Sequence, residues 1–170
     1  MLGQDIFSLL CRRAGERLSQ REIAKALHVS PTAVANALPA LKDHHLIKVE
    51  KTKTINFVSL NRDEHRAIEL RRAENLKAIS VSGLSDYLHH ALAGGTIILF
   101  GSYARGEDTT TSDIDIAIIG RKDKMLELEP YEKILQRKIQ VNFYRSWARI
   151  HRHLKNNILN GIVLHGSVEL

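Results

Sequence analysis

Two short stretches of this chain hold residues whose types and spacing could do chemistry. Gly101-Ser102-Tyr103-Ala104-Arg105-Gly106 follows the apolar run at 96–100, and Ser112-Asp113-Ile114-Asp115 leads into the apolar run at 116–119. A glycine-serine turn after a buried strand can hold a phosphate: Gly101 has no Cβ to keep the backbone away, and N–H groups at a helix start attract an anion. Ser102 adds a hydroxyl. Arg105, one turn on, is placed either to meet a phosphate through its bidentate guanidinium or to pair with Glu107 or Asp108. Ser112 holds the loop before the acids. Asp113 and Asp115, two residues apart on a strand, point the same way and can share a divalent cation. Each element alone is common. In this order, with strands on both sides and Arg105-Gly106 between them, they read as a metal-dependent nucleotide site.

These paired motifs resemble the signature of the minimal nucleotidyltransferases, within the polymerase-beta-like superfamily, over about residues 94–170. The resemblance implies a nucleoside triphosphate substrate, ATP being the expected one. It also implies Mg2+ or Mn2+ on Asp113 and Asp115, and transfer of a nucleoside monophosphate to an acceptor hydroxyl. Paired ions of this kind clamp the attacking and leaving oxygens of an in-line displacement. In related minimal nucleotidyltransferases the acceptor can be a partner toxin protein, which makes an antitoxin-like role one expectation and an RNA acceptor another. One departure stands out. The superfamily supplies a third carboxylate from the third core strand, but that strand here, residues 138–144, presents Gln140 and Asn142. An amide oxygen can ligate magnesium, yet it has no charge and takes no proton. Glu127, Glu129 and Glu132 are the nearby acids that could substitute.

The site needs a scaffold, and the hydrophobic pattern predicts one. Strands are expected at 96–100, 114–119 and 138–144, the last alternating Ile139, Val141 and Phe143 against Gln140, Asn142 and Tyr144. A helix is expected at about 128–136. Ser146 is expected to cap a basic helix to about Lys155 that sets Arg145, Arg149 and Arg152 on one face, and a short strand follows at 162–164. Upstream, Asn61 is expected to cap a charged helix over 61–80, with Leu70, Ala73, Leu76 and Ile79 on one face. Gly83 breaks it before a second helix at 84–91.

The first 60 residues read differently. A helix at 4–14 carries Ile6, Leu9, Leu10 and Ala14 at helical spacing. Ser19 and Glu22 form a capping box for the next helix, and Ser30-Pro31 starts a third after a turn at His28-Val29. Two β-rich segments, 46–50 and 54–60, flank a basic tip, Lys51-Thr52-Lys53. This resembles the winged helix-turn-helix domains of prokaryotic regulators. The resemblance implies DNA binding by the helix that begins at Ser30, with Thr32, Ala33 and Asn36 toward base edges and Lys42, Lys51 and Lys53 on phosphates. A homodimer would supply two half-sites.

Composition agrees. Of the formal net charge of +6, residues 1–60 carry 9 Lys/Arg against 5 Asp/Glu, whereas residues 61–93 balance at 5 against 5 and residues 94–170 hold 11 against 9. A basic first third suits a polyanion partner. No apolar run approaches a membrane span. The N-terminus lacks a basic leader with an apolar core, and the single cysteine, Cys11, suits a reducing cytoplasm. The expected architecture is α+β: a winged helix-turn-helix at 1–60, a helical connector at 61–93 and a small mixed-sheet nucleotidyltransferase core at 94–170 with flanking helices. Two functions fit. One is a magnesium-dependent nucleotidyltransferase coupled to DNA binding. The other is a winged-helix regulator whose nucleotide-binding domain turns over weakly or not at all.

Overall fold

The computed structural model describes residues 1–169. The chain divides into two compact units, one from Met1 to Glu74 and one from Asn75 onward. Each has its own hydrophobic core.

In the first unit, helix α1 (Leu2–Arg12) buries Ile6, Phe7, Leu9, Leu10 and Cys11 along one face. A two-residue strand, β1 (Leu18–Ser19), precedes α2 (Gln20–Leu27). Ser19 caps α2 reciprocally: its hydroxyl accepts from the Glu22 N–H, and the Glu22 carboxylate accepts from the Ser19 N–H at 2.7 Å. His28 ends the helix in the left-handed conformation. Helix α3 (Pro31–Asp43) starts on Ser30, whose hydroxyl accepts from the Ala33 N–H, and runs through Pro39. Strands β2 (Ile47–Lys51) and β3 (Asn56–Leu60) form an antiparallel hairpin, and β1 adds to the outer side of β3. The pairing of β1 with β3 has no signal in so short a segment. The hairpin tip is one residue later than expected. Lys51 is still in β2, paired with Asn56, and the turn is closed by Thr52, which donates to and receives from Ile55. Ile23, Val34, Leu38, Leu41, Ile47, Val58 and Leu60 complete this core.

Helix α4 (His65–Val81) starts later than the sequence suggests. Asn61 does not cap it; the Asn61 amide donates to the His45 carbonyl at 2.8 Å and ties the loop after β3 back to the end of α3. The stripe expected on Leu70, Ala73, Leu76 and Ile79 is also displaced. The buried positions are Ala67, Arg71, Asn75 and Ile79, four apart, while Leu70 is exposed. Two polar side chains take places that a hydrophobic reading gives to leucine and alanine. Gly83, with φ +80°, separates α4 from α5 (Leu84–Ala91).

The second unit is built on a four-stranded mixed sheet. Its strands are β4 (Thr96–Phe100), β5 (Ile114–Ile119), β6 (Ile139–Tyr144) and β7 (Ile162–His165), in the order β6-β5-β4-β7. β4 runs antiparallel to β5 and β7, and β5 runs parallel to β6. Alternation along the strands feeds two cores. Ile97, Leu99, Ile114, Ile116 and Ile118 pack with Leu84, Leu88 and Leu92 on one face. Ile98, Phe100, Ala117 and Ile119 pack with Trp147, Ile150 and Ile158 on the other. Helix α6 (Gly101–Arg105) joins β4 to the loop before β5, α7 (Glu129–Leu135) precedes β6, and α8 (Arg152–Leu159) precedes β7. The basic helix expected from Ser146 is broken into a 3-10 turn, Trp147–Arg149, and α8, with Ile150 extended between them. Trp147 and Ile150 are both buried against the sheet. With the helix broken, Arg145, Arg149 and Arg152 share no helical face.

Candidate active site

Antiparallel pairing of β4 with β5 places Phe100 opposite Asp115, so the turn that leaves β4 lies against the acidic start of β5. Gly101, the first residue of that turn, has φ +77°, and a Cβ built on it falls 2.3 Å from Asp115 Oδ2. The position thus excludes a side chain on two counts, backbone conformation and a carboxylate already in the space. Gly106 ends α6 in the left-handed conformation, which turns the chain toward the acids. Ser102, half-buried on α6, has a hydroxyl with no partner among the described residues. Ser112 closes the loop: its hydroxyl accepts from the Thr109 N–H at 2.9 Å, and its own N–H donates to the Thr109 carbonyl.

Asp113 is exposed just before β5, and Asp115 is half-buried within it. Ile114, Ile116 and Ile118 point into the core on the other face, which leaves the two carboxylates on one side. Burial pushes the Asp115 carboxyl above the usual carboxylate range, the Asp113 charge pushes it further, and Arg105 pulls against both. A carboxylate pair in this condition suits a hard divalent cation, which would relieve the repulsion. Arg105 itself takes the alternative anticipated from its neighbours. It pairs with Glu107 at 2.8 Å rather than with Asp108, and donates to Asn157 Oδ1 at 3.0 Å.

The third strand settles which residue faces the acids. Parallel register sets Gln140 beside Asp115 and Asn142 beside Ala117. Gln140 Nε2 lies 3.4 Å from Asp113 Oδ2. Two of the three substitute acids are engaged with neighbours of their own. Glu132 accepts from the Ile139 N–H and from Lys138, each at 3.0 Å, and these contacts hold its carboxyl below the usual range. Glu129 pairs with Lys133. Among the described residues no group of three or more His, Cys, Asp or Glu side chains could hold a metal ion.

A strand-turn-helix seated against a strand bearing paired acids is the arrangement that the motifs anticipated, and comparison with known proteins agrees. The family model described as Nucleotidyltransferase domain matches residues 81–168. The chain belongs to this family. It is also 36% identical, over 94 residues, to a Methanocaldococcus jannaschii protein whose name is "putative protein adenylyltransferase". That match covers 52% of this chain and 96% of the relative. No solved structure gives a significant match.

Sequence reasoning missed the residues that hold the nucleotidyltransferase turn in place. Asn75 donates to the Tyr103 carbonyl at 2.9 Å and to Asp108 Oδ1 at 2.8 Å. Asp108 is 1% exposed, and the Arg137 guanidinium lies 3.9 Å from its other oxygen. A buried carboxylate is tolerable only with such partners. The one available signal was a polar side chain four residues from another on a helix with an apolar face. Beside Asp113, a groove of about 460 Å³ is lined by Thr110, Thr111, Ser112, Glu132, Lys133 and Arg137 among others.

The residues expected to contact DNA all lie in the first unit. Thr32 and Asn36 are exposed on α3, and Ala33 is half-buried. Ser30 is exposed, but its hydroxyl is engaged in capping. Lys42, Lys51 and Lys53 are exposed and form no ion pair among the described residues. The neighbouring Lys48 pairs with Asp63, and Arg17 pairs with Glu50 at 2.8 Å. No helix of the described chain is long and apolar enough to cross a membrane.

Proposed function

We propose that this chain transfers a nucleoside monophosphate from a nucleoside triphosphate, ATP first, to a hydroxyl on a protein acceptor, and that residues 1–60 bind DNA. The observation that carries the reading is the seating of the Gly101 turn directly against the Asp115 carboxylate. That seating supports a site in which the turn would take the phosphates and the acid pair the cation. Gly101 admits the phosphate chain, Ser102 offers its hydroxyl, and Ser112 keeps the loop before the acids in shape. Arg105 would exchange Glu107 for phosphate. Asp113 and Asp115 would hold Mg2+ or Mn2+, which supplies charge neutralisation on the phosphate oxygens when bound. In the reaction the acceptor oxygen forms a bond to the α-phosphorus, the bond to the bridging oxygen breaks, pyrophosphate leaves and the hydroxyl proton passes to solvent. The name of the M. jannaschii relative favours a protein acceptor over RNA, and a partner toxin would be one such acceptor.

The DNA-binding reading is supported by the order α2, turn, α3, hairpin, the order expected of a winged helix-turn-helix, and by Lys42, Lys51 and Lys53 having no anionic partners among the described residues. Gln140 beside Asp115 favours a second reading of the catalytic unit, a nucleotide sensor with weak turnover.

The test is transfer of α-labelled ATP, with Mg2+ or Mn2+, to proteins of a source-cell lysate, beside an Asp113→Ala/Asp115→Ala variant. Label that appears on one protein and vanishes in the variant establishes the enzyme. Nucleotide binding without any labelled product would establish the sensor instead.

A further inference from the structure

Gln140 faces the carboxylate pair from the adjacent strand, and its chemistry there has two sides. Its register partner is Asp115, so its side chain leaves the sheet on the face of the acids. Its amide nitrogen reaches Asp113 Oδ2 at 3.4 Å, a long contact that places the group without locking it. The side chain is exposed, so the amide has room to turn and present oxygen in place of nitrogen. Of the acids that could add charge, Glu132 is engaged by Lys138 and the Ile139 N–H, and Glu129 by Lys133. On the facing strand the position beside Asp115 is thus neutral.

We propose that Gln140 is a positioning residue that sets the cation affinity of the pair: its amide restrains Asp113 in the empty site and, with a cation bound, contributes a dipole where an acid would contribute a full charge. This rests on the reading that Asp113 and Asp115 hold the cation. The consequence is a site that folds without a metal and binds one weakly until a nucleotide's phosphates complete the ligand set. A third carboxylate at the same point would reverse both properties, since three converging acids repel one another when empty and attract a dication strongly when not.

The experiment is Mn2+ binding to the full chain without nucleotide, followed by electron paramagnetic resonance of the free ion. Thermal melts with and without Mn2+ run alongside. Gln140→Glu is expected to tighten Mn2+ binding about tenfold, a conservative figure for one added charge a few ångströms from a dication. It is also expected to lower the metal-free melting temperature, with recovery on adding Mn2+. Gln140→Ala is expected to weaken Mn2+ binding about tenfold, as Asp113 loses the group that orients it. The proposal is overturned if both variants bind Mn2+ within twofold of the wild type. An unchanged Gln140→Ala beside a tightened Gln140→Glu would remove the positioning role. If Gln140→Glu does not fold, Gln140→Asp takes its place. Wild-type affinity in an Asp113→Asn/Asp115→Asn variant would instead show that the cation binds elsewhere, which overturns the underlying reading rather than the role of Gln140.

Discussion

A methyl group at position 101 would lie 2.3 Å from Asp115 Oδ2, closer than any real contact allows. Gly101→Ala must therefore push the carboxylate aside and also hold alanine at positive φ, a strain of about 1–3 kcal/mol. The expected outcome is a lower melting temperature and loss of nucleotide binding by calorimetry; an alanine variant that binds nucleotide normally would remove Gly101 from the site. Asp115 gives a pH prediction of definite sign. Its folded pKa is raised above the unfolded value, chiefly by burial and then by Asp113. The stability tied to this group is present below the unfolded pKa and is lost as pH rises through the folded one. At pH 7 without metal the ionised carboxylate therefore costs stability. Asp115→Asn should melt about 1–3 °C above the wild type at pH 7, and the gap should close as pH falls below the carboxylate range. A gap that widens toward acid pH would contradict the sign.

Between residue and molecule, the element that decides the site is α4, which lies outside the motif. Its inward stripe contains Asn75, which bonds both the Tyr103 carbonyl of α6 and Asp108 of the following loop. Asn75→Ala removes both bonds and leaves a buried carboxylate short of a donor, at a cost of about 2–3 kcal/mol. Urea denaturation should show that loss, and nucleotide affinity should fall with it because α6 carries Ser102 and Arg105. Retained affinity in a destabilised variant would mean that α6 is held by its own strand connections alone. The Gly101 turn was legible locally, as glycine and serine after an apolar run. Its support was not, because the spacing of Asn75 from Tyr103 and Asp108 in the chain carries no periodic pattern. The same limit explains the misplaced stripe on α4, where Asn75 takes a buried position because its partners come from distant segments.

At the scale of the whole chain, charge separates the two units. The first 60 residues carry +4 of the net +6, and three exposed lysines there have no anionic partner among the described residues. If they neutralise DNA phosphates, a Lys51→Ala/Lys53→Ala variant should bind duplex DNA more weakly. The slope of log affinity against log salt should fall by about 2, one for each lost contact. Fluorescence anisotropy across a salt series measures this, and an unchanged slope would exclude the hairpin tip from the interface. Nucleotide binding should be unaffected, since the Gly101 turn and both acids belong to the second unit.

The sequence alone determined the local features whose causes are local. The capping box of Ser19 and Glu22, the start of α3 at Ser30-Pro31, the three strands around the acids and the alternation along β6 all follow from side-chain period and capping chemistry within a few residues. It also determined the family, because the glycine-serine turn and the Asp113, Ile114, Asp115 run keep their order along the chain. Only the tertiary structure decided what meets across it. The register of β5 with β6 set Gln140 rather than Asn142 beside Asp115, and the pairing of Phe100 with Asp115 brought the turn to the acids. A one-residue slip in either pairing would move those side chains to the opposite face. Register is set by contacts between strands far apart in the chain, and no single strand's pattern contains it.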